Sequence, residues 1–350
     1  MLVDDVSRCV VPEAATVKSV VENLNSSGLR LSLVVGPEGA LLGIVSDGDI
    51  RRGLLAGEGL ESPATTVMNA VFASAVNGTA TSELTRVARA REVTHLPLVD
   101  EEGKLAGLFI DQPDGETATR NNSVVIMAGG MGLRLRPLTE NTPKPMIPIG
   151  GKPMVQHTIE ALRAEGFVNF ILAINYLGDQ IEEHFGDGSG LGVRITYVKE
   201  EQPLGTGGAL SLLEGAFTSP IVVINGDVLL SARLTDMLNY HHSHSADITV
   251  GVKVLDTQIP FGVIELEGNQ IVAMQEKPVY RDFVNAGVYV LEPSVVGSVP
   301  AAVRLDMPDL VAEWLGRRKV FAYPMHESWR DLGHIEDLEL ARKDYDREGG

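Results

Sequence analysis

The 350-residue sequence is poor in cysteine, in aromatic side chains and in positive charge, and these shortages exclude several classes of protein. Its one cysteine, Cys9, excludes a disulfide framework within the chain. No apolar run approaches the roughly 18 residues of a membrane span. The net charge of −18 argues against nucleic acid and anionic membranes as partners, because both would repel an acidic surface. The opening residues Met1–Asp5 lack the basic and apolar regions of an export signal, so we predict a cytoplasmic protein.

What remains is an ordinary globular composition, with 44% hydrophobic and 22% charged residues. The length predicts two domains, each large enough to bury its own core. An acidic chain that binds small anions must gather its few basic residues in one place. Lysines and arginines close to glycine-rich turns are therefore the first candidates for a site.

The first third of the chain contains an internal repeat. Apolar and glycine residues between Val35 and Ile44 recur 64 positions later between Val99 and Leu108. Each copy has the pattern of a strand, a glycine-containing turn and a second strand, preceded by a helix. Two such half-sized units can bury their apolar faces by packing on one another, so we predict an α+β module of two repeats.

The polar stretch 112–122 contains several turn-forming residues and no apolar periodicity, which is typical of a linker. We place the repeat module at 1–117, with copies at about 1–58 and 62–115. The linker proper is placed at 118–122, and the second domain at 123–350.

The second domain alternates short apolar runs with helical patterns. The alternation predicts an α/β fold with a doubly wound, mixed sheet, some later strands being antiparallel. The runs typical of strands covered on both faces are Val124–Ala128, Phe170–Ile174 and Ile221–Ile224. The intervening patterns that predict helices are Val155–Leu162 and Leu210–Phe217.

A glycine-rich loop follows the first of these strands directly. Ligands of an open α/β sheet lie beyond the carboxyl ends of its strands, and glycines there let backbone N–H groups approach a phosphate. The loop lacks the third glycine of a dinucleotide fingerprint and the Gly-Lys-Ser/Thr of a Walker A motif. Taken alone, it could also be a flexible turn. Its residues are Ala128, Gly129, Gly130, Met131 and Gly132.

Two basic residues follow the loop, Arg134 and Lys144, and prolines on both sides restrict the backbone of Lys144. With these residues the chain resembles the sugar-1-phosphate nucleotidyltransferases, whose signature is G-G-x-G-x-R-L-x-P-L-T followed by P-K-P-M. The resemblance covers roughly 123–345. It implies a Rossmann-like, GT-A-like sheet with an NTP bound in the glycine loop, and Arg134 and Lys144 on the triphosphate.

The L-G-T-G-G segment, with Gln202, Gly205 and Thr206, resembles the family's loop for the base and ribose. This form is most similar to guanylyltransferases for mannose-like and heptose-like sugars, so the resemblance favours GTP. Without the family, the segment is a glycine-rich turn at the start of a helix.

Asp227 follows a strongly apolar strand, where a carboxylate is well placed to hold Mg²⁺ against a triphosphate. A strand-ending turn is the alternative, since Asn225, Gly226 and Asp227 are common turn residues. The resemblance implies that Asp331 shares the metal. Sequence spacing does not show whether the two acids meet.

The resemblance also assigns residues to the sugar phosphate. Lys277 would bind its phosphate, although a Glu-Lys pair such as Glu276-Lys277 is more often a solvated surface pair. The residues assigned to this part of the site are Gly262, Glu276, Lys277, Asn285 and Gly287.

The implied reaction is attack by the oxygen of a sugar-1-phosphate on the α-phosphorus of the NTP, with release of pyrophosphate. Arg134, Lys144, Asp227 and Lys277 are its candidate catalytic residues. One alternative is a nucleotide sensor that has lost activity. Another is a nucleotide-sugar-dependent glycosyltransferase, although such an enzyme would want an Asp-x-Asp motif where Asp227 is followed by Val228-Leu229.

The N-terminal repeat resembles a cystathionine-β-synthase-type (CBS) domain pair. Ser46 and Asp49 match its ribose-binding form, while Arg51 and Arg52 would lie near the phosphates of an adenine nucleotide. A purely structural or dimerising module is the alternative, and we expect a homo-oligomer, a dimer or larger. One nucleotide site per chain is the most we predict, because the second copy has other residues at the equivalent positions, Ile110 and Pro113.

Overall fold

The chain folds into two units, Met1–Glu116 and Thr117–Gly350. The computed structural model describes residues 1–111, 119–213 and 217–348. Within those ranges no helix is both long enough and apolar enough to cross a membrane.

The first unit builds the same motif twice. β2, α1, β3 and β4 recur as β5, α3, β6 and β7, in each case with a parallel and then an antiparallel strand pair. The two sheets have the orders β2-β3-β4 and β1-β7-β6-β5. The elements are β1 Leu2–Val3, β2 Val10–Pro12, α1 Val17–Ser27, β3 Leu31–Val35, β4 Leu41–Ser46, α2 Asp47–Leu55, β5 Ala75–Val76, α3 Thr81–Ala90, β6 His95–Val99 and β7 Leu105–Ile110.

A shared core joins the two copies. Leu31 and Leu33 of the first copy pack with Leu108 and Ile110 of the second, and all four are buried. Cys9 lies in the same cluster, where burial raises the pKa of its thiol to about 11. The thiol is therefore an apolar packing group at neutral pH.

The segment predicted as a linker at 118–122 is partly a strand. Strand β8 (Arg120–Met127) begins at Arg120, whose backbone N–H donates to the Gly166 carbonyl and whose Nε donates to the Glu165 carbonyl. Asn122 is held by a side-chain hydrogen bond to the Pro220 carbonyl. The strand therefore begins with polar residues whose side chains form hydrogen bonds to neighbouring backbone. A search for apolar periodicity does not detect such a strand start. Residues 112–118 of the predicted stretch lie outside the described residues.

The second unit contains the larger sheet, with short helices and hairpins around it. Its elements are β8 Arg120–Met127, β9 Pro148–Ile149, β10 Lys152–Pro153, α4 Met154–Ala164, β11 Phe167–Ile174, α5 Gly178–Phe185, β12 Arg194–Lys199, α6 Gly205–Gly208, β13 Ile221–Asn225, β14 Val228–Leu230, α7 Leu234–Ser243, β15 Ile248–Gln258, β16 Val263–Glu267, β17 Gln270–Gln275, β18 Val279–Leu291, α8 Pro293–Val296, α9 Met307–Trp314, β19 Val320–Met325, β20 Trp329–Asp331 and α10 Ile335–Glu348.

The seven strands of the main sheet lie in the order β12-β11-β8-β13-β18-β15-β19. β12, β11, β8 and β13 are parallel, while β18 runs antiparallel to both of its neighbours. Alternate residues of β8 enter different cores: Val124 and Ile126 pack on one face and Val125 on the other. The predicted mixed sheet, covered on both faces, is therefore present.

The connection changes direction at β8. After β8 the chain adds β11 and β12 on one side, then returns to place β13 on the other side. Met127 at the end of β8 pairs with Asn225 at the end of β13, so the two carboxyl ends are level. The crevice at such a switch point is the expected ligand site of an open α/β sheet.

One predicted helix differs from the structure. The pattern Leu210–Phe217 predicts a regular helix, but the part of it that the structure describes follows the short α6 as a 3₁₀ turn over Ala209–Leu212. Leu213 is extended, and residues 214–216 lie outside the described part of the chain. Leu210 is nevertheless buried, with Leu213 and Phe217 packed against its cluster, so the pattern identified core residues correctly.

Candidate active site

The glycine loop after β8 combines close packing with one open position. A Cβ at Gly129 would lie 2.8 Å from Glu200 Oε1, and a Cβ at Gly132, where φ is +61°, would lie 2.8 Å from Thr139 Cγ2. A Cβ at Gly130 would meet nothing within 4 Å. Two glycines are therefore required by the fold, and the third leaves exposed backbone open to a ligand.

Lys144 and Asp227 form an ion pair at the switch point. Lys144 Nζ lies 2.5 Å from Asp227 Oδ2, and only 9% of the lysine side chain is exposed. Pro143 and Pro145 are buried around the 3₁₀ turn that carries the lysine. The segment between the two prolines therefore holds the nearly buried ammonium group of Lys144 beside Asp227, which follows β13.

Asp331 lies next to Asp227, a proximity that sequence spacing could not show. β14 and β20 pair antiparallel with Val228 opposite Asp331, and the Leu332 N–H donates to the Asp227 carbonyl at 2.9 Å. Burial, and after it the negative charge of Asp227, raises the pKa of the Asp331 carboxyl. Two carboxylates therefore converge where a cation would relieve their repulsion.

Arg134 reaches the same corner from the glycine loop. A Cβ at Gly333 would lie 3.0 Å from Asp331 Oδ1 and 3.2 Å from an Arg134 guanidinium nitrogen. Arg134 NH1 also lies 3.2 Å from His334 Nε2. The absence of a side chain at Gly333 is what lets the guanidinium approach the acid.

A cavity of about 230 Å³ opens at this corner. Of the predicted residues, Gly129, Gly130, Lys144, Gly205, Thr206 and Asp227 line it. Its lining among the described residues does not include Ala128, Met131, Gly132, Arg134, Gln202 or Asp331. Ala128 is buried behind the loop, whereas Gln202 and Met131 are exposed.

The glycines of the L-G-T-G-G segment serve packing within the protein. The N–H groups of Gly207 and Gly208 donate to the Leu305 carbonyl at 2.9 and 2.8 Å. A Cβ at Gly205, where φ is +76°, would lie 2.6 Å from Asp306 Oδ1. Thr206 does not cap its own helix: its hydroxyl accepts from Met307 N at 2.9 Å, at the start of α9. The loop is thus clamped to the chain ahead of α9.

Sequence reasoning missed three polar residues in the cavity wall, Glu200, Asn225 and Asp306. Glu200 directly follows β12, and Asp227 lies two residues after the end of β13, so the rule that found Asp227, an acid at the carboxyl end of a strand, could also have found Glu200. Its Oε2 accepts from Leu204 N at 2.8 Å, and burial raises the pKa of its carboxyl. Among the described residues, the Oδ1 of Asn225 is buried without a hydrogen-bond partner.

The residues predicted to bind sugar phosphate form two groups. Asn285 and Gly287 lie beside the cavity: Asn285 Oδ1 accepts from Gly287 N at 3.0 Å, and a Cβ at Gly287 would lie 2.6 Å from Asn225 Nδ2. Gly262, Glu276 and Lys277 meet at the base of the β16–β17 hairpin, where all three are exposed.

Lys277 has an unusual backbone conformation at this hairpin base. Its φ is +46°, a left-handed value that a lysine before a proline rarely adopts. Its N–H donates to the Phe261 carbonyl at 3.2 Å, and its own carbonyl accepts from Gln258 Nε2 at 3.4 Å. Local strain of this kind is concentrated at functional sites.

In the first unit, Ser46 and Asp49 form a capping box at the start of α2. Asp49 Oδ2 accepts from Ser46 N at 2.8 Å and from Ser46 Oγ at 2.6 Å, and its Oδ1 accepts from Arg52. Asp49 and Arg51 are buried. In the second copy Ile110 is buried, and Pro113 lies outside the described residues.

A glycine loop and two carboxylates at the switch point of a mixed α/β sheet define a site for phosphorylated ligands. The chain belongs to the nucleotidyl transferase family, whose model matches residues 123–348. A CBS domain model matches residues 3–56. The predicted fold class, a nucleotidyltransferase sheet preceded by a CBS module, is confirmed.

Curated relatives share the second unit. A mannose-1-phosphate guanylyltransferase of Mycobacterium tuberculosis is 38% identical over 230 residues, which cover 63% of this chain and 64% of that protein. A mannose-1-phosphate guanyltransferase of Pichia angusta is 35% identical over 232 residues, covering 61% of each. The match therefore spans less than two thirds of either relative.

Solved structures agree on the fold. HddC from Yersinia pseudotuberculosis complexed with GMP-PN superposes with a TM-score of 0.51 at 23% identity, over 64% of this chain and 99% of that one. A UDP-glucose pyrophosphorylase complexed with UDP-glucose gives a TM-score of 0.50 at 21% identity, over 65% and 99%.

Proposed function

We propose that the second unit transfers a guanylyl group from GTP to a sugar-1-phosphate, giving an NDP-sugar and pyrophosphate. The observation that carries the proposal is the Lys144–Asp227 pair, which lines a cavity beside the open backbone of Gly130. The relatives at 32–38% identity are named for mannose-1-phosphate guanylyl transfer, so mannose 1-phosphate is the first sugar phosphate to test.

The chain's residues have distinct roles in this reaction. A phosphate oxygen of the sugar-1-phosphate forms a bond to the α-phosphorus of GTP, and the bond from that phosphorus to the β-phosphate bridging oxygen breaks. The nucleophile is already an anion, so catalysis depends on positioning and charge neutralisation. Arg134 and Lys144 would draw charge from the triphosphate, and Lys277 would hold the incoming phosphate in line. At ~4 Å and an effective dielectric of ~20, two like unit charges repel by about 4 kcal/mol, so cations between the substrates are needed.

The acidic pair fits a divalent cation. Asp227 and Asp331 offer hard oxygen ligands. Burial and, after it, the negative charge of Asp227 raise the pKa of Asp331, and a cation would relieve the repulsion between the two carboxylates. We propose Mg²⁺ as that cation, held by Asp227 and Asp331. When bound, it would neutralise triphosphate charge and polarise the α-phosphate.

Glu200 supports the preference for GTP. Guanine presents an N1–H and an N2 amino group on one edge, a donor pair that one carboxylate can accept. Glu200 lines the cavity together with Gly129 and Gly205, and it lies just before the segment that the resemblance assigns to the base. A pyrimidine presents no such adjacent pair of imino and amino donors.

The test is a pyrophosphate-release assay of the full chain with five NTPs against a panel of sugar-1-phosphates. We expect GTP to exceed UTP, dTTP and CTP by at least about tenfold in kcat/KM. A preference for a pyrimidine nucleotide would overturn the base assignment. Failure of every pair, with the protein folded and Mg²⁺ present, would overturn the activity and leave the sensor alternative.

For the first unit we propose an adenine-nucleotide site at Ser46, Asp49, Arg51 and Arg52. The supporting observations are the match to a CBS domain and the position of Asp49 at the start of α2. Calorimetry of the full chain with AMP should give one site per chain, which Asp49→Ala removes. AMP binding that is unchanged in Asp49→Ala would contradict this site. Any effect on catalysis is expected to be modest, of about 1–3 kcal/mol.

We also propose that the enzyme works in the cytoplasm. The proposed substrates, a nucleoside triphosphate and a sugar phosphate, are charged metabolites of that compartment, and the buried thiol of Cys9 is compatible with reducing conditions. Fractionation of the native cell would test the location.

A further inference from the structure

Strand β18 contains a bulge beside the candidate active site. The pairing register shifts between Val250 and Val252 of β15, so that the one residue between them faces the three residues of β18 between Asn285 and Tyr289. The pairing of β18 with β13 also ends here, at Val288. Bulges re-aim side chains and are common next to active sites. This bulge therefore sets the direction of the Asn285 side chain, which the resemblance assigns to the sugar phosphate.

Among the described residues, three side-chain hydrogen bonds hold the bulge from within the protein. Asn285 Nδ2 donates to the Tyr289 hydroxyl at 2.6 Å, and Asn285 Oδ1 accepts from Gly287 N at 3.0 Å. Trp329 Nε1 donates to the Ala286 carbonyl at 2.9 Å. Gly287 has a φ of +70°, which a residue with a side chain rarely adopts. The bulge therefore has a defined shape before a ligand binds.

Tyr289 is the buried end of this network. It is 1% exposed and packs in the core cluster that contains Ile221 and Ile248. Burial raises the pKa of its phenol, so the hydroxyl keeps its proton at neutral pH. Asn285, by contrast, is exposed. One hydroxyl group therefore connects the core to the amide that a sugar would contact.

The network leaves Asn285 with hydrogen-bonding capacity for a ligand. An amide carries two N–H donors and an oxygen with two lone pairs, and among the described residues Tyr289 and Gly287 use one of each. The hydroxyl groups of a sugar both donate and accept, so a hexose can satisfy the donor and the acceptor that remain. A freely rotating amide would offer these groups in any direction, whereas the amide of Asn285 offers them in one.

We propose that Tyr289 is a positioning residue for sugar recognition. It fixes the amide of Asn285, so that the chain distinguishes sugar 1-phosphates by the direction of a hydroxyl group. The inference rests on the proposed transfer to a sugar-1-phosphate and adds a residue that sets its sugar specificity. Trp329 holds the same bulge through the backbone of Ala286.

The variant Tyr289→Phe tests this role, because it removes the hydroxyl and keeps the ring. For the sugar 1-phosphate that the substrate panel identifies, KM should rise by roughly 3- to 10-fold, as for one lost hydrogen bond, while the GTP KM stays unchanged. The preference for that sugar over its epimers should fall by a similar factor. Asn285→Ala should lose the same preference. The double variant should lose no more than Asn285→Ala alone, because Tyr289 acts through Asn285.

Tyr240→Phe is the matched control. The Tyr240 hydroxyl donates to the Ala322 carbonyl of the edge strand β19 at 3.1 Å, so this variant also loses one hydrogen bond of the same domain. It should leave both KM values unchanged. Hydrogen exchange of the Gly287 amide in the ligand-free chain provides a readout that needs no activity. This exchange should be faster in Tyr289→Phe than in Tyr240→Phe, because the Asn285 oxygen that accepts from Gly287 is no longer held.

The outcomes separate this inference from the proposed function. If the unchanged chain turns over no sugar 1-phosphate, the proposed function and the inference fall together. If the chain is active but Tyr289→Phe behaves like Tyr240→Phe in KM, epimer preference or Gly287 exchange, the inference alone is wrong. It is also wrong if the GTP KM rises equally, or if the losses in Tyr289→Phe and Asn285→Ala add in the double variant.

Discussion

The nucleotide side and the sugar side of the candidate site are built differently. On the nucleotide side, Lys144 and Asp227 lie at the ends of buried elements and hold one another in an ion pair. On the sugar side, Glu276 and Lys277 lie exposed at the base of a solvent-facing hairpin. Core strands position the first group, whereas among the described residues Lys277 is held by hydrogen bonds to Phe261 and Gln258 at the base of the hairpin.

This difference separates the energetic consequences of changes in the two regions. A buried ion pair that loses one partner leaves an uncompensated charge, so changes on the nucleotide side affect both chemistry and stability. An exposed lysine can be removed with little effect on folding. Substitutions on the nucleotide side should therefore change both the melting temperature and the kinetics, whereas substitutions on the sugar side should change the kinetics alone.

The largest effect is expected from Asp227→Asn. It removes a metal ligand's charge and the partner of Lys144, so kcat should fall by about 10³-fold. It should also lower the melting temperature, because the nearly buried Lys144 is left without its counter-ion. Steady-state kinetics and thermal denaturation measure both. Near-normal turnover at saturating Mg²⁺ would contradict the metal assignment.

Lys277→Ala should raise the sugar-phosphate KM and leave the GTP KM and the melting temperature unchanged. A charge-assisted hydrogen bond is worth about 1.5–3 kcal/mol, hence roughly 10- to 150-fold in kcat/KM. Arg281→Ala is the matched control, since Arg281 lies on β18, close to Lys277 in sequence, and forms an ion pair with Asp256 of β15. An equal loss in both variants would assign the effect to the stability of these strands rather than to Lys277.

Glu200→Gln should reduce base discrimination. If the single amide oxygen keeps the hydrogen bond from Leu204 N, the NH2 group takes the place of the other carboxylate oxygen and offers guanine a mismatched donor, so kcat/KM for GTP should fall by about 10-fold. The value for ATP should change little. Competition between GTP and ATP in one assay measures the ratio directly, and an unchanged ratio would remove Glu200 from base recognition.

The smallest expected effect is the pH dependence of GTP binding. Burial raises the pKa of Glu200 above its ordinary value of 4.5, so the carboxyl is protonated, and loses an acceptor, at a higher pH than a free glutamate. The KM for GTP should rise a few-fold as the pH falls through that pKa, and Glu200→Gln should lack this rise. Because the pKa of Glu200 is raised in the folded state, ionising this carboxyl lowers the free energy of unfolding. The unchanged chain should therefore lose stability as the pH increases through that pKa, whereas Glu200→Gln should not. Parallel pH profiles of KM and melting temperature test both signs.

Much of the fold could be predicted because it rests on local patterns. The runs around Val124 and Ile221 are apolar without alternation, and both faces of those strands are indeed covered. Of the helix predicted over Leu210–Phe217, the described residues form a 3₁₀ turn that ends before the extended Leu213. The backbone N–H groups just ahead of this turn bind Leu305 and Asp306, about 100 residues away, which the local pattern does not show. The strand start at Arg120 was missed because polar side chains there bond to distant backbone.

The sequence by itself predicted Gly130, Lys144 and Asp227 as candidate site residues, because they lie at strand ends or between prolines and because the motifs around them resemble those of the nucleotidyltransferases. Tertiary structure alone decided which of them meet. Asp331 reaches Asp227 only through the pairing of β14 with β20, and Glu200 enters the cavity only because β12 and β8 lie in one parallel sheet with aligned carboxyl ends. Strand pairing joins residues far apart in the chain, and their separation in the sequence does not show which strands will pair.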